Sequence, residues 1–91
     1  MELKAAFAEA LRNMRLRKRL TQEDFGLVSS RTYISSLERG MKGVTLEKVT
    51  QLAERMEVHP LTLLVDCYKV QSGQTLEELF EVVRTQLSET K

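Results

Sequence analysis

The 91-residue chain predicts an all-α fold. Apolar residues recur at helical spacing in one segment after another, and most segments open at a residue suited to capping a helix N-terminus. No stretch alternates apolar and polar side chains as a half-buried strand would, and no internal repeat or low-complexity tract stands out.

Six helices are expected. In the first, from Glu2 to Arg19, Leu3, Phe7, Leu11 and Met14 share one face with Ala6 and Ala10 beside them. Arg17, Lys18 and Arg19 close it, where cations complement the helix dipole. Thr21 is the N-cap of a second helix over Gln22–Val28, with Asp24 at its third position and Phe25 and Val28 inward. Gly26 lies inside that span, and its cost relative to alanine implies a close approach by another helix backbone. Ser30 caps a third helix ending near Arg39, with Ile34 and Leu37 inward and Gly40 as the residue that stops it. Thr45 caps a fourth helix to Met56, carrying Leu46, Val49, Leu52 and Ala53 on one side. Pro60 suits the first position of a fifth, whose apolar residues run to Val70. Gln71 to Gln74 break the pattern, and Thr75 with Glu78 forms a capping box for the sixth.

Length and hydrophobic content suit one small domain with a modest core. The single cysteine, Cys67, excludes an internal disulfide and a Cys-based zinc site within one chain. No apolar run is long enough to span a bilayer and the N-terminus lacks a signal-peptide layout, so a cytoplasmic protein is expected. Net charge is only +1, but its distribution is uneven. Residues 1–42 hold nine Lys/Arg against five Asp/Glu, a net +4, and residues 43–91 hold five against eight, a net −3. This asymmetry points to a basic working face and a separate acidic region. His59 stands before Pro60, Cys67 has no nearby histidine, and there is no phosphate loop or metal-ligand spacing. No enzyme activity, cofactor, metal or small-molecule ligand is expected.

The third helix has an apolar back and a front of Arg31, Thr32, Ser35, Ser36 and Arg39, a surface made to be read from outside. The DNA major groove is wide enough to admit such a helix. The order LTQED, then SSRTYISSLERG, then TLEKVTQLAERMEVHPLTLL resembles the Xre family of helix-turn-helix regulators, which includes the repressor and Cro proteins of lambdoid phages. The resemblance covers Leu11 to Leu64 and implies a five-helix lambda-repressor-like DNA-binding domain over residues 1–70. Residues 71–91 then form an additional C-terminal helical extension. One departure concerns the link Phe25-Gly26-Leu27-Val28-Ser29-Ser30, which is shorter than in common family members and lacks their turn glycine. Either the turn is tighter or the second helix ends early.

Phosphate contacts fix register and base-edge contacts read sequence. The resemblance places base-reading residues at Arg31, Thr32 and Ser36. Arg31 can bond guanine O6 and N7 together, and Thr32 suits a polar edge or a thymine methyl. A phosphate contact for Arg31 and a solvated surface role for Ser36 are the alternatives. Gln22, at a helix N-terminus, is expected to clamp a phosphate, with Ser35, Arg39 and Lys42 as further phosphate ligands. Tyr33 either contacts the DNA backbone or packs on the first helix. The resemblance also pairs Arg15 with Glu38 as an ion pair joining the first helix to the reading helix. Arg17, Lys18 and Arg19 either attract DNA or only complement the dipole.

In the extension, Leu76, Leu79, Phe80, Val83 and Leu87 share one side, flanked by Glu77, Glu78 and Glu81. This face is expected to form a homodimer interface, a longer monomer core being the alternative. A homodimeric repressor or autoregulator of bacterial or phage type, binding a palindromic operator, follows. A restriction–modification controller and a prophage or host repressor are two versions of it. The competing reading is an antitoxin-type or other protein-interaction module that uses its C-terminal helices, with DNA binding secondary.

Overall fold

The computed structural model describes residues 1–89. The order is α1 (Leu3–Arg17), a 3₁₀ turn (Gln22–Phe25), α2 (Arg31–Glu38), α3 (Leu46–Arg55), α4 (Pro60–Ser72) and α5 (Leu76–Glu89), with no strand among the described residues. The chain is therefore all-α, as its periodicity predicts.

The caps form as their side-chain chemistry dictates. Ser30 Oγ accepts from the Tyr33 N–H at 3.1 Å, and Thr45 Oγ1 accepts from the Lys48 N–H at 3.1 Å. Thr75 and Glu78 close a reciprocal box, the Thr75 N–H donating to Glu78 Oε1 at 2.8 Å and the Glu78 N–H to Thr75 Oγ1 at 3.1 Å. His59 Nδ1 accepts from the Leu61 N–H at 3.0 Å, with Pro60 in the first turn of α4.

Two expectations are corrected. The second helix is a single 3₁₀ turn, Gln22–Phe25, rather than a helix to Val28. After it the chain coils irregularly, with the Val28 and Ser29 N–H groups both donating to the Phe25 carbonyl at 2.8 Å. No helix backbone approaches Gly26, because the nearest atom to a Cβ placed there is the carbonyl of Glu23, 3.3 Å away. α4 continues to Ser72 and stops at Gly73, whose φ of +75° is open to glycine.

The core is built on α1 and α4, the most extensively packed pair of helices. Ala6, Ala10 and Leu11 of α1 and Leu63 of α4 are fully buried together with Phe25, Ile34, Leu37 and Leu52. The short alanine side chains remove the bulk that would hold a neighbouring helix away. Cys67 is buried in this cluster, and burial, with Asp66 nearby, pushes its thiol pKa up, so it stays protonated and behaves as an apolar filler.

α1, α2 and α3 end alike. The N–H of the second residue past each cap reaches back to a carbonyl five positions earlier: Leu20 to Arg15, Met41 to Ser36 and Val58 to Ala53, each at 3.0 Å. The residue before it is left-handed: Arg19 (φ 58°), Gly40 (φ 72°) and Glu57 (φ 60°). Glycine occupies this position once, and the two side chains elsewhere carry the left-handed penalty. Replacing the exposed Glu57 with glycine is expected to stabilise the fold by about 0.5–1 kcal/mol, measured as a higher urea midpoint at unchanged m-value.

Candidate nucleic-acid interface

α2 presents an exposed polar face, and the elements packed around it fix its direction. Its back is apolar, Ile34 and Leu37 being fully buried. Its C-terminal end is tied to α1 through Arg15 and Glu38. The guanidinium meets the carboxylate with two parallel hydrogen bonds, Nε to Oε2 at 2.6 Å and NH2 to Oε1 at 2.9 Å. NH1 donates to the Leu20 carbonyl at 2.9 Å, so all three nitrogens are engaged. The side chains of Arg15 and Glu38 are 11% and 4% exposed, so the pair is largely dry. The hydrogen bond to Glu38 raises the Arg15 pKa against the opposing effect of burial. Gln22 joins the same group, its Nε2 donating to Glu38 Oε1 at 3.2 Å.

The expected site residues separate into those the fold brings together and those it does not. Gln22, Arg31, Thr32, Ser35 and Arg39 line one shallow hollow of about 240 Å³. Arg31 and Thr32 are exposed at the start of α2, and their backbone N–H groups precede the first helical bond, from the Ile34 N–H to the Ser30 carbonyl. Arg39 is exposed at the other end, its Nε reaching the Ser35 carbonyl at 3.4 Å. Ser36 lies apart. It is 7% exposed and is not among the residues that line the hollow. Ser35, one position earlier, occupies the hollow instead.

Gln22 does not open a regular α-helix. A four-residue 3₁₀ turn holding Glu23 and Asp24 has no helix dipole to attract a phosphate, and Thr21 caps it reciprocally with Asp24. Hydrogen bonds from the backbone and side chain of Thr21 lower the Asp24 pKa. What Gln22 offers is its side-chain amide, oriented by Glu38. Tyr33 is half-buried and packs against the core edge, with the Lys42 and Lys48 ammonium groups 5.5 and 5.6 Å from its ring centroid. Lys42 is exposed. Arg17 pairs with Asp66 of α4 at 3.1 Å and so has a partner within the body.

Two residues outside the expected set act on the turn. Lys48 Nζ donates to the Val28 carbonyl at 3.0 Å, and Arg55 Nε donates to the Asp24 carbonyl at 2.8 Å. Both come from α3, Arg55 holding the backbone of the 3₁₀ turn and Lys48 that of the shortened link. Their cationic type is the only signal that could have marked them, because the carbonyls they reach are distant in sequence.

Residues 11–63 match the family model described as helix-turn-helix. The chain belongs to this Xre and lambda-repressor-like family. A comparison with curated proteins finds no match. Among solved structures, the fold is similar to the clp gene regulator ClgR from C. glutamicum, with a TM-score of 0.74 and 26% identity over 81% of this chain and 99% of that one. A second ClgR structure aligns over 94% of this chain and 95% of its own at 25% identity and a TM-score of 0.73. The restriction-modification controller protein C.Esp1396I is similar at a TM-score of 0.70 and 25% identity, covering 82% of this chain and 99% of that one. Family and neighbours together support a DNA-binding regulator.

The Arg15–Glu38 pair carries a stability consequence that the hollow does not. Glu38→Ala leaves a largely buried guanidinium without its carboxylate and is expected to cost about 3 kcal/mol, the lower end for a broken buried pair. Arg31→Ala, on the exposed face, is expected to change stability by less than about 0.5 kcal/mol. Urea unfolding of the two variants measures the contrast.

Proposed function

We propose that this protein is a homodimeric, sequence-specific transcriptional regulator of the repressor or autoregulator type, binding a palindromic operator through α2. The observation that carries the reading is the meeting of Gln22, Arg31, Thr32, Ser35 and Arg39 in one hollow, on a helix whose angle is set by the buried Arg15–Glu38 pair. Arg31 and Thr32, exposed at the helix N-terminus, are the residues that meet base edges in this reading. Gln22, Ser35, Arg39, Lys42 and the Tyr33 hydroxyl supply phosphate contacts that set register. Similarity to a clp gene regulator and to a restriction-modification controller protein agrees with a regulatory role.

Arg31→Ala is expected to cost about 1–3 kcal/mol on the preferred duplex and to relax the preference at one base position. Binding to duplexes varied one base at a time measures this. A loss equal across all sequences would reassign Arg31 to phosphate. Affinity should also fall steeply with salt as counterions are released, and a flat response would count against the reading.

The dimer reading rests on α5, which packs on α4 and buries none of its own residues. Leu76, Phe80, Val83 and Leu87 are 37%, 41%, 48% and 68% exposed, and Leu79 is half-buried. A contiguous apolar face of this kind marks an interaction surface. A second copy as its occupant matches the two-fold symmetry of a palindromic site. In sedimentation the native chain is expected to be a dimer at micromolar concentration, and Val83→Glu a monomer of unchanged helicity. A native chain that stays monomeric well above that range would leave the apolar face to a different protein, the antitoxin-type arrangement.

A further inference from the structure

We propose that Lys48 is a positioning residue for sequence readout, holding the N-terminal end of α2 as the Arg15–Glu38 pair holds its C-terminal end. The inference rests on the reading that α2 meets base edges. Ile34 and Leu37 seat α2 on the core, and polar ties at both ends fix the direction of its exposed face. Arg15 reaches Glu38, the last residue of α2. The other end follows a link without regular structure, in which the Val28 carbonyl receives Lys48 Nζ at 3.0 Å. The same ammonium lies 5.6 Å from the centroid of the Tyr33 ring, and Tyr33 follows Arg31 and Thr32 directly. One cation thus touches the link before α2 and the first turn of α2 itself. Its own base is firm, because Lys48 sits in the first turn of α3 and its N–H closes the Thr45 cap.

The geometry separates Lys48 from the phosphate ligands. Its side chain is half-buried and its charge is directed at a carbonyl and a ring, whereas Lys42, the other cation beside Tyr33, is exposed. Lys48 is also not needed to fill the core, since Phe25, Ile34 and Leu37 are fully buried by apolar contacts. Its loss should leave the fold intact and loosen the aim of α2.

The test compares the native chain with Lys48→Met and Lys48→Arg on two duplexes: one selected by the native chain from a random pool, and one of scrambled sequence. Lys48→Met is expected to bind the selected duplex about tenfold more weakly. Its affinity for the scrambled duplex and the slope of log affinity against log salt should not change. Lys48→Arg, which keeps the donor and the cation, should recover most of the loss. An equal loss on both duplexes, with a salt slope shallower by about one, would make Lys48 a phosphate ligand and overturn the proposal. So would unchanged binding to both, or loss of a cooperative melting transition in Lys48→Met. Hydrogen exchange tests the hold without DNA. The Val28 and Ser29 amides should exchange faster in Lys48→Met while those of Leu11 and Leu63 keep their protection, and an unaltered link would overturn the proposal. A native chain that selects no duplex defeats the sequence-reading function itself, and the exchange rates then still decide whether Lys48 holds the link.

Discussion

Arg15 gives up most of its hydration to meet Glu38, and the exchange is favourable only because every nitrogen of the guanidinium finds an acceptor. Two bonds go to the carboxylate and one to the carbonyl of Leu20, just beyond the end of α1. Glu38, still accepting, then orients the amide of Gln22. A single dry cluster therefore sets the end of α1, the start of the 3₁₀ turn and the end of α2 relative to one another. The hollow lined by Gln22, Arg31, Thr32, Ser35 and Arg39 exists because those elements are held in that relation. Charge pairs of this kind add little net stability, but they tolerate few alternative geometries, and geometry is what a reading helix needs.

The shortened link puts a different demand on the fold. With too few residues for a regular second helix, the chain makes one 3₁₀ turn and then leaves the carbonyls of Asp24 and Val28 outside a helical ladder. α3 answers with Arg55 and Lys48, whose long apolar stems carry a cationic donor to each carbonyl. Leu27, between these two anchors, is fully exposed. A compact link thus keeps its backbone satisfied by borrowing donors from α3 instead of from its own helix.

α5 stands apart from this machinery. It adds nothing to the core, carries its apolar residues on an uncovered face, and brings Glu77, Glu78, Glu81 and Glu89 against the single cation Arg84. Acidic flanks repel a phosphate backbone and suit a surface that meets protein. The charge asymmetry of the chain follows its elements: the basic residues belong mainly to α1, α2 and the loop after α2, and half of the acidic residues of the second half lie on α5.

The helices were legible in the chain because capping and amphipathic periodicity are local. Ser30, Thr45, His59–Pro60 and Thr75–Glu78 act within one turn of where they stand, and the buried faces of α1 and α3 repeat at helical spacing. The family was legible for the same reason, as ordered motifs along one stretch. Three matters were decided only by tertiary packing. Ser36 and Ser35 are the same residue type side by side, and only the rotation of α2 against the core makes one buried and the other part of the hollow. Gly26 looked like a packing glycine because the second helix was expected to continue, and the 3₁₀ turn ended it first. Lys48 and Arg55 resembled ordinary surface cations of an amphipathic helix until the fold brought the link's carbonyls within their reach. Local chemistry determines where a helix starts and which face is apolar. Which polar side chains meet across the molecule depends on the directions of helices far apart in the chain, and no local pattern encodes those directions.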